Sequence, residues 1–196
     1  MATHRGPGKD TPRASLISTS RTEIAPVRYA TAVQRKIAAF REDDKGDFIA
    51  ELDCGHGQHM RHKPPMTFRP WVLTEEGRAA RVGADCECVL CDRAEMPRGY
   101  EEHRRTNVFD AASVPRALLR EHRTKLGVWG KLLVHEGQLD FVALEPERRV
   151  TKLGAGDEHV IVSGLAHEVA LHDGARFTVS FYGPPRRDSR GSTPAR

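Results

Sequence analysis

Cys54-Gly-His56 and, after a gap of 31 residues, Cys88-Val-Leu-Cys91 constrain this chain more than any other feature. Zinc takes four nitrogen or sulfur ligands at tetrahedral corners, and two short ligand pairs on separate turns can grip the ion from opposite sides. All four cysteines, Cys54, Cys86, Cys88 and Cys91, fall inside this stretch. The expected ligands are Cys54, His56, Cys88 and Cys91, with His59 as the alternative fourth. His62 and Cys86 add further donors close by. Residues 36–97 carry few large apolar side chains, so a segment of this size needs a staple to fold. Structural zinc supplies one.

Charge sits unevenly. Of the net +4, residues 1–35 contribute +4 and residues 184–196 contribute +3, which leaves the body at −3. A folded nucleic-acid reader carries its excess positive charge on the fold, so this distribution argues against nucleic acid as a partner. No run of about 18 apolar residues is present, which excludes a membrane-spanning helix. The polar N-terminus has no apolar leader, so the expected location is the cytoplasm, where thiols stay reduced and a disulfide framework is not expected.

Four segments follow from composition. Residues 1–35 and 184–196 are rich in Ser, Thr, Arg, Pro and Gly and read as disordered basic tails. Between them lie the zinc module, 36–97, and a second module, 98–183. In the first, apolar residues flank Asp43-Asp-Lys-Gly46 and predict a hairpin whose second strand delivers Cys54. Prolines keep 63–71 out of regular structure, and 74–81 reads as a short turn or helical segment. In the second, the runs 127–134, 138–144, 159–162, 167–171 and 175–182 are separated by glycine turns, which predicts an antiparallel sandwich or barrel. Ser113–Arg120 is the one expected helix, with Ser113 as N-cap and Pro115 near its start. The fold class is therefore mainly β, a small zinc-stapled hairpin module followed by a barrel.

Two resemblances attach to these residues. The pieces ELDCGHGQHMRHKPP, RPWVLTEEGR and CVLCDRAEMP, within Phe48–Pro97, resemble an uncharacterised bacterial family of zinc-binding domains. Cys88 and Cys91 take the places of its CxxC pair, and Cys86 is an addition. Residues 97–183 resemble the TehB/YeaR-like domain, a small cupin-like β-barrel associated with tellurite resistance. The carriers are Leu119–Lys125, Gly127-Val-Trp129-Gly130, Val134–Leu139, Ala166-His167 and the closing Phe181-Tyr182. Where that family shows a Glu-Pro pair before its last histidine, this chain reads Val162-Ser163. The second resemblance implies a cupin-like antiparallel barrel in which His122 and His167 converge on a second metal or small ligand at the mouth.

The leading function is then a cytoplasmic accessory protein, not evidently an enzyme, whose barrel binds an oxyanion or metal in tellurite or related stress. A metal-dependent enzyme using His122 and His167 is one alternative, and it requires an acid or base that the sequence does not place. A regulatory adaptor contacting nucleic acid or protein is another. Arg123, Lys125 and Trp129 offer an anion subsite, against the plainer reading of solvated cations and a core indole. The expected partners are a small ligand and, through an edge strand, a second copy of the chain.

Overall fold

The computed structural model describes Met1 and residues 32–186. The expected disorder of the two tails falls largely outside these residues. Within them the chain is mainly β, built as two sheet systems that share a seam.

The first system opens with β1 (Gln34–Glu42) and β2 (Phe48–Leu52). They form the expected antiparallel hairpin. Asp43 fixes its turn, with Oδ1 accepting the amides of Lys45 and Asp47, each at 2.9 Å. β3 (Gly57–Met60) pairs with β2, and β4 (Asp85–Glu87) pairs with the other edge of β1, giving the order β3-β2-β1-β4. The connection from β3 to β4 contains a 3-10 turn at Pro70–Leu73 and a short helix, α1 (Glu75–Ala79). The Thr74 hydroxyl caps α1 by accepting the Gly77 amide at 3.1 Å. A second short helix, α2 (Val89–Asp92), follows β4.

The second system contains β5 (Glu101–Arg105), β6 (Trp129–Glu136), β7 (Gln138–Ala143), β8 (Arg149–Gly154), β9 (Glu158–Ile161), β10 (His167–Leu171) and β11 (Arg176–Gly183). Two antiparallel sheets result, β5-β11-β6-β9 and β10-β7-β8. Leu132, Val134, Leu139, Phe141, Leu153, Ile161, Val169, Phe177 and Val179 meet between them as one core. This is the expected antiparallel two-sheet arrangement, and it is called the barrel below.

Side chains alternate across a strand, and that period explains the seam. On β6, Leu132 and Val134 enter the barrel core, whereas Trp129 lies on the opposite face and joins the core of the first system. On β9 and β11, Ile161, Phe177 and Val179 point inward, and Val160 and Tyr182 pack outward onto the same N-terminal cluster. The sheet β5-β11-β6-β9 is thus covered on both faces. One core, made of Val33, Ile37, Ala50, Leu52, Met60, Val72 and the buried cysteines, closes only with Trp129 in place.

The expected helix over Ser113–Arg120 is replaced by turns. Asp110 organises this segment: its Oδ1 accepts the amides of Ala112 and Ser113 and the Ser113 hydroxyl. Ser113 Oγ accepts the Asp110 amide in return, so it is spent inside the turn and caps no helix. Pro115 lacks the amide that would carry a helical ladder onward.

Candidate metal centre

Cys54 and His56 flank the tight turn after β2. Gly55 makes that turn possible, because its φ is +92° and a Cβ there would lie 1.8 Å from the Tyr100 hydroxyl. The Leu52 amide closes the turn by donating to the His56 carbonyl at 2.8 Å. Cys88 and Cys91 bracket the first turn of α2, where the Cys91 amide bonds to the Cys88 carbonyl at 3.0 Å. The two turns face one another across the core, and all four side chains are buried.

Ligand atoms of these four residues lie within 4.8 Å of one another. His56 Nδ1 is 3.4 Å from Cys54 Sγ, 3.4 Å from Cys88 Sγ and 3.6 Å from Cys91 Sγ. Cys54 Sγ and Cys88 Sγ are 3.9 Å apart. Zinc bonds of about 2.3 Å to sulfur and about 2.0–2.1 Å to nitrogen imply tetrahedral edges of about 3.8 Å for S···S and about 3.6 Å for S···N. The observed separations fit that figure, and a sulfur pair at 3.9 Å is far too long for a disulfide.

Electrostatics agree with the geometry. Burial disfavours a proton on His56, yet hydrogen bonds to Cys54 and Cys88 outweigh it and raise the imidazole to about 9. Hydrogen bonds from Cys54 and Cys91 push the Cys88 thiol far below its usual range against the effect of burial. Hydrogen bonds to Cys54 and Cys88, with burial, push the Cys91 thiol up, so the four donors share protons that a bound cation would displace. Arg35 adds a cation from outside the cage: it is buried, its Nε donates to Cys91 Sγ at 3.3 Å and its Nη2 donates to the Ser163 carbonyl at 2.7 Å. Trp129 supplies a second cross-link, its indole N–H donating to the Cys54 carbonyl at 2.7 Å.

The other donors lie elsewhere. His59 is exposed and faces Asp43 at 3.6 Å, in a separate cluster with Asp47. Cys86 donates to Gln58 Oε1 at 3.0 Å, and His62 Nδ1 accepts the Arg69 amide at 2.8 Å. Trp129, offered above as one wall of an anion subsite, is fully buried at the seam. Lys125 is exposed, and Arg123 forms a bidentate pair with Glu145.

His122 and His167 do meet. Their backbones bridge in both directions, His122 amide to His167 carbonyl at 2.9 Å and the reverse at 3.0 Å, and their ring centroids are 4.2 Å apart. Each Nδ1 faces a backbone carbonyl at 2.9 Å, Arg120 for His122 and Leu165 for His167. That fixes the N–H on Nδ1 and leaves a lone pair on Nε2 in each ring. Among the described residues, no cluster of three or more donors includes this pair. Burial pushes His167 down to about 4 and lowers His159 as well, so both are neutral at pH 7.

Beside His167 lies a cavity of about 150 Å³. The barrel lines most of it, through Phe141, His159, Val162, Leu165 and His167, and Cys91, Asp92 and Ala94 of the first system close the remaining side. Three participants were not legible in the sequence. Glu145 and His159 carry no spacing signal, and Arg35 stands in a stretch that reads as tail.

Two family models match, in series. Residues 38–95 match a protein family of unknown function, DUF3565, and residues 104–179 match the TehB-like domain. The resemblances read from the sequence in each half are therefore met by these models. Among solved structures, an E. coli K12 protein is 23% identical, with a TM-score of 0.43 over 46% of this chain and 97% of that one. TehB from Haemophilus influenzae is 27% identical, with a TM-score of 0.36 over 45% of this chain and 33% of that one. A cupin-2 domain protein from Shewanella frigidimarina is 20% identical, with a TM-score of 0.28 over 34% and 59%. No curated protein matches the chain.

Proposed function

We propose that this is a cytoplasmic accessory protein in which one zinc ion, held by Cys54, His56, Cys88 and Cys91, staples the N-terminal module, which packs against a cupin-like barrel that binds a small ligand. The observation that carries the reading is the fit of the four donor separations to a zinc tetrahedron. The role is structural, because four protein donors fill the coordination sphere and leave no position for water or substrate. Three thiolates and one imidazole around a divalent ion carry a net charge of −1, and the buried Arg35 guanidinium offsets it. A setting in tellurite or related stress is supported by the family of the barrel alone.

A second reading, a metal-dependent enzyme, is favoured by the paired Nε2 lone pairs of His122 and His167. Elemental analysis separates the two. Purified wild type should carry one zinc per chain, lost in Cys88→Ser/Cys91→Ser and kept in His122→Ala/His167→Ala. A second metal lost only with the histidines would favour the enzyme. Freshly reduced wild type without zinc would overturn the staple.

A further inference from the structure

The cavity beside His167 has walls that select its occupant. An apolar cavity of about 150 Å³ accommodates one benzene-sized ring, and this one has that volume. Its lining is largely aromatic and aliphatic. Phe141 stacks on His167 with centroids 5.3 Å apart and planes 23° apart, and lies 4.2 Å from His159 on its other side. Val162 and Leu165 complete the apolar wall.

The charged groups around it disfavour an anion. Asp92, Glu145 and Glu147 line the cavity against a single cation, Arg149. Asp92 already accepts the Val33 amide at 2.7 Å, and Glu145 is held by Arg123 and by the Ala166 amide at 3.3 Å. An oxyanion entering here would meet more carboxylates than cations. Thr151, His159 and His167 are the uncharged polar side chains in the lining, and His167 is the one whose free atom is fixed as an acceptor. Because Nδ1 of His167 donates to the Leu165 carbonyl, Nε2 is the hydrogen-bonding atom that this side chain can offer a ligand.

We propose that this cavity binds an uncharged single-ring molecule bearing one hydrogen-bond donor, of the phenol class, its ring against Phe141, Val162 and Leu165 and its donor on His167 Nε2. The proposal rests on the reading of the barrel as a small-ligand binder and names the ligand's chemistry. It also gives the N-terminal module a part in binding. Cys91, Asp92 and Ala94 form one wall, so the pocket is complete only when the turn that carries the candidate metal ligands is folded against the barrel.

Calorimetric titration of the full, zinc-loaded chain with phenol, toluene, benzoate, phosphate and tellurite tests this. Phenol should bind at least tenfold more tightly than benzoate, phosphate or tellurite. His167→Leu should weaken phenol by about tenfold, the loss of one hydrogen bond, while leaving toluene within about twofold. Ala143→Leu, which fills the cavity without altering an imidazole, should abolish binding of both rings in a protein whose melting curve stays cooperative. Tighter binding of benzoate, phosphate or tellurite would overturn the ligand class and leave the binding barrel standing. Phenol binding indifferent to Ala143→Leu would overturn the assignment to this cavity. Failure of all five to bind would overturn both the proposal and the small-ligand reading beneath it.

Discussion

His167 sits where solvation and hydrogen bonding oppose each other. Burial lowers its pKa from 6.5 to about 4, outweighing the Leu165 carbonyl that would favour the charged ring. The unfolded chain takes up this proton near pH 6.5 and the folded chain refuses it until about 4, so stability is complete above pH 7 and declines as pH falls between those values. For this group alone the loss from pH 7 to pH 5 comes to about 2 kcal/mol. Urea denaturation at the two pH values should show that loss in wild type and a markedly smaller one in His167→Gln. Comparing the two proteins at each pH removes the effect of protons competing at the thiols, which is common to both. Equal pH slopes in the two proteins would show that His167 is not held neutral by the fold.

At the scale of elements, β6 belongs to two cores at once. Trp129→Phe keeps most of the buried ring but removes the N–H that the Cys54 carbonyl accepts. The buried carbonyl is then unpaired, at a cost of about 1–3 kcal/mol. The lowered urea midpoint should be accompanied by faster zinc release to a chelator, because the same carbonyl belongs to a candidate ligand residue. Unchanged release would confine Trp129 to packing. The strands that the sequence revealed are those with buried apolar residues on a face, such as Trp129–Glu136 and Arg176–Gly183. Those it concealed are exposed and charged. Glu101–Arg105 is an edge strand of acids, bases and one histidine, the composition that blunts an edge and erases the apolar period. Gly57–Met60 pairs with β2 but is too short and polar to show an apolar period. The four-residue metal cage was legible because ligand spacing is a local property. Its cross-links to Ser163 and Trp129 span 128 and 75 residues, and no local pattern encodes them.

Across the whole molecule, the seam joins the candidate metal site to the barrel through Trp129 and Arg35. Loss of the proposed zinc would free the thiols, leave Arg35 without the charge it balances and loosen the core around Trp129. Stripping the ion with a chelator under reducing conditions should lower the melting temperature by at least about 10 °C. Circular dichroism and tryptophan fluorescence should still report a single transition. A barrel transition that keeps its original midpoint after zinc removal would show the two parts to be independent.

The order in which the chain leaves the ribosome gives this seam a further meaning. The cage residues emerge first, all by residue 91, yet the indole that completes their core arrives with residue 129 and the carbonyl that anchors Arg35 with residue 163. A nascent N-terminal half therefore has all four candidate ligands before it has the indole and the carbonyl that pack around them. Secure capture of the proposed metal would then wait on translation of the barrel.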